Sequence, residues 1–187
     1  FVWNGPPTFN YIDKNVDQKL KQLQYQPASV CSDETFVRRV YLDVLGTLPT
    51  IEDSDRFLTD TSPEKRKRLI DELLGRPDFA LFWSQKWGDL LRVSRKQIGL
   101  NSVFKYSQWL QATISNNMPY DQFVRELLTA SGSTITSPAG NYYRTAADTM
   151  DAMESTAQLF MGTRIQCAKC HNHPFERWTQ SNYYGLA

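Results

Sequence analysis

Several features that mark common functional classes are scarce in this sequence. Its 187 residues include only three cysteines and two histidines, too few cysteines for a disulfide scaffold. The 21 basic and 20 acidic residues nearly cancel to a formal net charge of +1, which supplies no positive surface of the kind that binds nucleic acid. No apolar run approaches the roughly 18 residues that a membrane span requires. The sequence therefore predicts no nucleic-acid partner and no transmembrane segment.

Patterns of catalysis and of β-structure are missing as well. We find no paired catalytic carboxylates, no Ser-His-Asp arrangement and no phosphate-binding glycine loop, so the sequence does not predict an enzyme. Few segments alternate apolar and polar residues with period two, whereas apolar residues recur widely at helical spacing. A hydrophobic content of 41% excludes a disordered chain. These patterns predict an all-α domain of many helices.

Turn-forming and capping residues set the predicted helix boundaries. A stretch rich in Ser, Thr, Pro and Gly between Ser131 and Gly140 predicts a loop. We therefore predict one domain over 1–187, with a helical body at 1–130, a loop at 131–145, and a final helix plus a cysteine motif at 146–187. The apolar pattern stops abruptly at Ala187, so we expect a fragment of a longer chain. The predicted starts are Asp33 as an N-cap, Thr50, Ser62 as a cap with Pro63 at the first helical position, Pro77, Pro119 and Thr179, and the predicted ends are Gly46, Gly75, Gly132 and Gly162.

The strongest motif is Cys167-Ala168-Lys169-Cys170-His171, a C-x-x-C-H run. This run is the attachment signature of a c-type haem, and its expected number by chance in this chain is on the order of a thousandth or less. In that chemistry two thiols form thioethers with the haem vinyl groups, and the adjoining histidine becomes an axial ligand of the iron. The motif predicts one covalent haem c, attached at Cys167 and Cys170, with His171 as the proximal ligand.

The opposite side of the iron is not assigned by the sequence. His173 lies two residues after His171, so both imidazoles would approach the iron from the same side. We expect His173 to bind a propionate or a backbone group near the haem edge instead. An open sixth position would favour small-ligand binding or peroxide chemistry. A methionine ligand would raise the reduction potential and favour electron transfer, and the candidates are Met118, Met150, Met153 and Met161.

Two other interpretations compete with haem. Cys31, Cys167, Cys170 and His173 could supply four ligands to a structural zinc ion, as in a zinc-stabilised interaction domain. That set leaves His171 without a role, and the C-x-x-C-H spacing unexplained. A catalytic dithiol formed by Cys167 and Cys170 would need a strand-helix context that a helical chain does not provide.

Several segments, in this order, resemble one known family. They are Phe36 to Asp43, Leu48 to Thr50, Lys65 to Leu74, Asn117 to Phe123 and Phe160 to Phe175. The chain resembles the second planctomycete-type cytochrome-c-like domain over most of its length after Ile12. This resemblance implies haem and a place within a larger secreted protein. The family usually has Phe-Leu-Gly where this chain has Phe160-Met161-Gly162, which implies that Met161 is not a family-wide iron ligand.

Together these observations predict a haem-binding domain for one-electron transfer. Its partner would be a redox protein or a neighbouring domain of the same chain. Because c-type haem is attached on the oxidising side of the membrane, the motif predicts an extracytoplasmic location, either periplasmic or secreted.

Overall fold

The computed structural model describes residues 1–187 and contains helices but no β-strand. The all-α prediction is thus confirmed. No helix combines the length and apolar character needed to cross a membrane. The helices are α1 (Tyr11–Gln22), α2 (Asp33–Leu45), α3 (Ile51–Thr59), α4 (Lys65–Leu74), α5 (Pro77–Leu90), α6 (Arg95–Ile98), α7 (Leu100–Ser115), α8 (Tyr120–Thr129), α9 (Asn141–Arg144), α10 (Thr149–Phe160) and α11 (Gln180–Leu186), with 3₁₀ turns at Pro138–Gly140 and Gln166–Lys169.

The chain divides into two compact units, residues 1–73 and 74–187. In the first unit the rings of Phe36 on α2 and Phe57 on α3 stack with centroids 5.7 Å apart. Asp33 at the start of α2 forms ion pairs of 2.8 Å with both Lys65 and Arg66. Hydrogen bonds from Lys65 and Arg66 hold the pKa of the Asp33 carboxyl below its usual value. The ion pairs therefore join the first turns of α2 and α4.

Most predicted helix boundaries agree with the structure, but two N-termini differ. Ser32, and not Asp33, caps α2, because its hydroxyl accepts from the Thr35 backbone N–H at 3.4 Å. Asp33 occupies the first helical position instead, where its charge also favours the helix N-terminus. Pro63 lies in a turn before α4, since the Asp60 carboxylate accepts from the Ser62 backbone N–H at 2.8 Å and holds the chain there.

The second unit is built around α5, α7 and α8. Its main core also includes part of the predicted loop, because Ala139 and Tyr142 are buried there. Asn141 is fully buried, and its amide donates to the carbonyls of Thr134 at 3.1 Å and Pro138 at 3.0 Å. Residues 131–137 have no helix, as predicted, but 138–144 form a 3₁₀ turn and α9. The composition of the segment predicted a loop. Residues 138–144 are helical instead because Ala139 and Tyr142 pack in the core.

Tyr106 in this core offers a test of polar burial. Its hydroxyl is completely buried without a hydrogen-bond partner, and this burial raises the pKa of Tyr106 far above its usual value. Tyr106→Phe removes an unsatisfied polar group, so we expect the free energy of unfolding to rise by about 1 kcal/mol. Tyr142→Phe is the matched control, because the Tyr142 hydroxyl shares a 2.8 Å hydrogen bond with Thr156. Urea unfolding should show the two substitutions shifting stability in opposite directions, and a loss in both would contradict this expectation.

Candidate functional site

The site begins with the chain reversal that ends α10. Gly162 has a φ of +64°, in the left-handed region that glycine adopts without strain. The backbone N–H groups of Met161 and Thr163 both donate to the Ala157 carbonyl, at 3.1 and 3.2 Å. This glycine-terminated turn satisfies the last carbonyls of the helix and redirects the chain. The residues that follow then pack against α10.

The residue between the two motif cysteines anchors the motif. Ala168 is 0% exposed and belongs to a small apolar cluster with residues of α10 and α11. Its backbone N–H donates to the Ile165 carbonyl at 2.9 Å, within the 3₁₀ turn Gln166–Lys169. The motif is therefore docked through its spacer residue. The other cluster members are Met153, Ala157, Ile165 and Tyr183.

The predicted attachment residues lie on the outside of this turn. Cys167 and Cys170 are both exposed and both are free thiols. His171 is also exposed. All three reactive groups are accessible, while Ala168 between them is buried. A ligand could therefore reach all three side chains from the solvent-exposed side of the motif.

The hydrogen bond of His171 defines which ring nitrogen can bind a metal. Its Nδ1 lies 2.7 Å from the Asn172 carbonyl oxygen. A carbonyl can only accept, so Nδ1 carries the proton and donates. In the neutral ring Nε2 then keeps its lone pair. Metal-binding histidines typically have this pattern, with one ring N–H held by a carbonyl and the other nitrogen free to coordinate.

His173 has the opposite arrangement. Its Nδ1 accepts from the backbone N–H groups of Phe175 at 3.3 Å and Glu176 at 3.0 Å. Its own backbone N–H donates to the Trp178 carbonyl at 2.8 Å. The Nδ1 lone pair is thus used within the turn, and in the neutral ring Nε2 carries the proton. His173 therefore bonds to the backbone of its own turn, and a role near the haem edge stays a prediction.

Residues of helix α11 form hydrogen bonds with the residues in and directly after the motif. The Lys169 carbonyl accepts from the Gln180 side-chain amide at 3.1 Å and from the Tyr184 hydroxyl at 3.2 Å. The Gln180 backbone N–H donates to the Asn172 side chain at 3.1 Å. Thr179 caps the helix in a reciprocal pair with Asn182, as its predicted N-terminal position requires. These bonds hold the Lys169 carbonyl before His171 and the Asn172 side chain after it.

A partly buried hydrogen bond also joins α11 to α10. The Tyr183 hydroxyl donates to the Glu154 carboxylate at 2.5 Å. Burial, followed by the hydrogen bond to Glu154, raises the pKa of Tyr183 well above its usual value. Tyr183 therefore stays neutral and packs beside Ala168 in the same cluster.

The four candidate methionines have different surroundings. Met153 is buried in the Ala168 cluster, and Met150 packs against it. Met118 is partly buried against the main core of the second unit. Met161 is 46% exposed and caps the end of α10, directly before the reversal at Gly162. Met161 is thus the most exposed of the four methionines, and whether any of them binds iron stays a prediction.

Comparison with known proteins places the chain in a family. The model of the PSCyt2 family, described as a protein of unknown function (DUF1549), matches residues 11–187. The chain belongs to the PSCyt2 family. No curated protein matches it, and no solved structure does. The more specific cytochrome-c-like and planctomycete character that the sequence implied stays a prediction.

The zinc alternative has three of its proposed ligands in the second unit of this PSCyt2 domain. No group of three or more His, Cys, Asp or Glu side chains is placed to hold a metal ion, so Cys167, Cys170 and His173 do not form such a group. A site that also includes Cys31, which lies in the first unit, stays a prediction. His173 also uses its Nδ1 lone pair in hydrogen bonds to the backbone.

Sequence reasoning missed the parts of the PSCyt2 site that position the motif. Ala168 occupies a spacer position that the motif leaves unspecified, and Asn172 acts partly through its backbone carbonyl. The aromatic residues of α5 lie at a different place from the motif residues. Phe79, Trp83 and Trp87 line a pocket of about 220 Å³ that no attachment residue lines. The apolar character of Ala168 was the one available signal of its burial.

Proposed function

We propose that this PSCyt2 domain binds one haem c covalently and serves in one-electron transfer. The observation that carries the proposal is the hydrogen bond from His171 Nδ1 to the Asn172 carbonyl, which leaves Nε2 free to coordinate. It occurs directly beside two free, exposed thiols at the attachment spacing. When bound, the haem would supply an iron that changes oxidation state by one electron.

In this proposal two residues attach the haem and a third positions them. Cys167 and Cys170 would hold the haem, each by adding its S–H across one vinyl group, with sulfur on one vinyl carbon and hydrogen on the other. This addition requires reduced thiols, and both cysteines are free. Ala168 holds the turn against α10 and α11, so that the thiols stay on its outer side.

The location and partner belong to the same proposal. Haem c is attached outside the cytoplasm, so we propose a periplasmic or secreted protein. The exposure of Cys167, Cys170 and His171 supports electron exchange at this surface with a redox protein or a neighbouring domain of the same chain.

An absorption spectrum tests the proposal. The protein must be produced in a host that carries a haem-ligation pathway, because other hosts would yield the apo chain. We expect a Soret band that stays with the protein after extraction with acid and acetone, since thioether bonds survive that treatment. A Soret band that is fully extracted, or a colourless protein from such a host, would contradict covalent attachment.

A further inference from the structure

The turn that follows the motif is held in a defined shape. The His173 backbone N–H donates to the Trp178 carbonyl at 2.8 Å and closes the turn. The His173 ring accepts from the backbone of Phe175 and Glu176 inside it. The Arg177 guanidinium lies 5.7 Å from the centre of the Trp178 ring at its end. Local hydrogen bonds therefore order these six residues.

This ordered turn presents an aromatic side chain to solvent. Phe175 is 92% exposed, more than any other large hydrophobic residue of the chain. Its neighbours Pro174, Glu176 and Arg177 are exposed too, so the ring does not extend a larger apolar patch. Isolated exposed apolar residues are common on protein surfaces. Phe175 differs because the imidazole of His173 binds its backbone and fixes its position.

The attachment chemistry identifies what could cover this ring. Phe175 follows Cys170 by five residues, which span at most about 18 Å even when extended. The last three residues of this stretch, 173–175, belong to the turn closed by the bond from His173 to Trp178, so the stretch is not fully extended and the actual separation is shorter. A porphyrin bound at Cys167 and Cys170 is a large, flat, apolar surface within this reach. Both thiols and Phe175 are exposed, whereas the spacer Ala168 is buried.

We propose that Phe175 packs against the covalently attached porphyrin and shields it from water, with the His173 turn as its rigid support. This inference rests on the proposed function. A ferric haem carries more positive charge than a ferrous haem, so excluding water disfavours the ferric state and raises the reduction potential. Phe175 would therefore tune the potential without coordinating the iron.

The test is the midpoint potential of the haem-loaded protein. We expect Phe175→Ala to shift the potential downward, and Phe175→Leu, which keeps an apolar side chain, to shift it less. Phe9→Ala is the matched control, because Phe9 is 83% exposed in the extended N-terminal segment before α1 and should have no effect. Circular dichroism should show the same helical content in all three variants, since neither ring contributes to a core.

The outcomes separate this inference from the proposed function. A wild-type protein without covalent haem overturns both. Covalent haem in the wild type with an unchanged potential in Phe175→Ala overturns the shielding role alone. An unchanged potential together with slower electron exchange with a partner protein would also overturn it, and would assign Phe175 to protein docking.

Discussion

Replacing His171 by alanine is expected to abolish proximal coordination of the haem iron, whereas His173→Ala should leave the low-energy absorption bands largely intact. The two imidazoles are two residues apart, but their hydrogen bonds differ. Nδ1 of His171 donates to a carbonyl and leaves Nε2 free, whereas Nδ1 of His173 accepts from two backbone N–H groups. Only the first ring is arranged to coordinate through Nε2.

Absorption spectra of the two haem-loaded variants, in both oxidation states, make this comparison. The His173 variant serves as a control for the removal of a nearby imidazole. We expect loss of the spectrum of histidine-ligated haem only in the His171 variant. Intact bands in His171→Ala together with lost bands in His173→Ala would reverse the assignment.

Ala168→Glu is expected to produce the largest loss of stability at the site. Ala168 is fully buried among Met153, Ala157 and Tyr183, so a carboxylate there would lose its hydration without gaining a partner. An uncompensated buried charge costs about 3 kcal/mol or more. We also expect weaker haem attachment, because the turn that carries both thiols would leave its place against α10.

Lys169→Glu is the control for this prediction. Lys169 is the exposed neighbour in the same 3₁₀ turn, so its substitution should change stability by no more than about 0.5 kcal/mol. Denaturant unfolding monitored by circular dichroism measures both variants. Equal stability of the two proteins would mean that the motif is not docked through Ala168.

Local patterns predicted the helices well because local interactions fix them. The apolar stripe of α10 and the glycine at position 162 together placed the helix and its end, and the structure shows Gly162 in the left-handed conformation. Thr179 likewise predicted the start of α11 from its capping chemistry. The segment 138–144 was missed because its order comes from burial of Ala139 and Tyr142 in a core made by distant helices.

The candidate site also has a part that the sequence predicts and a part that it does not. The identities and spacing of Cys167, Cys170 and His171 indicate the chemistry directly, since thioether attachment needs those residues in that order. The His171 tautomer could not be predicted, because it depends on the direction of the Asn172 carbonyl. The spacing of the motif does not specify that direction. Bonds from Gln180 and Tyr184 to the Lys169 carbonyl and the Asn172 side chain hold the neighbouring segment, and these partners lie eight or more residues away in sequence.

The mass of the intact protein tests the central claim most directly. The chain should be produced with a haem-ligation pathway, denatured, and weighed beside a Cys167→Ser/Cys170→Ser double variant from the same host. Covalent attachment predicts that the wild type is heavier than its sequence mass by about one haem, while the double variant has its sequence mass. A wild-type protein at its sequence mass under these conditions would contradict the account.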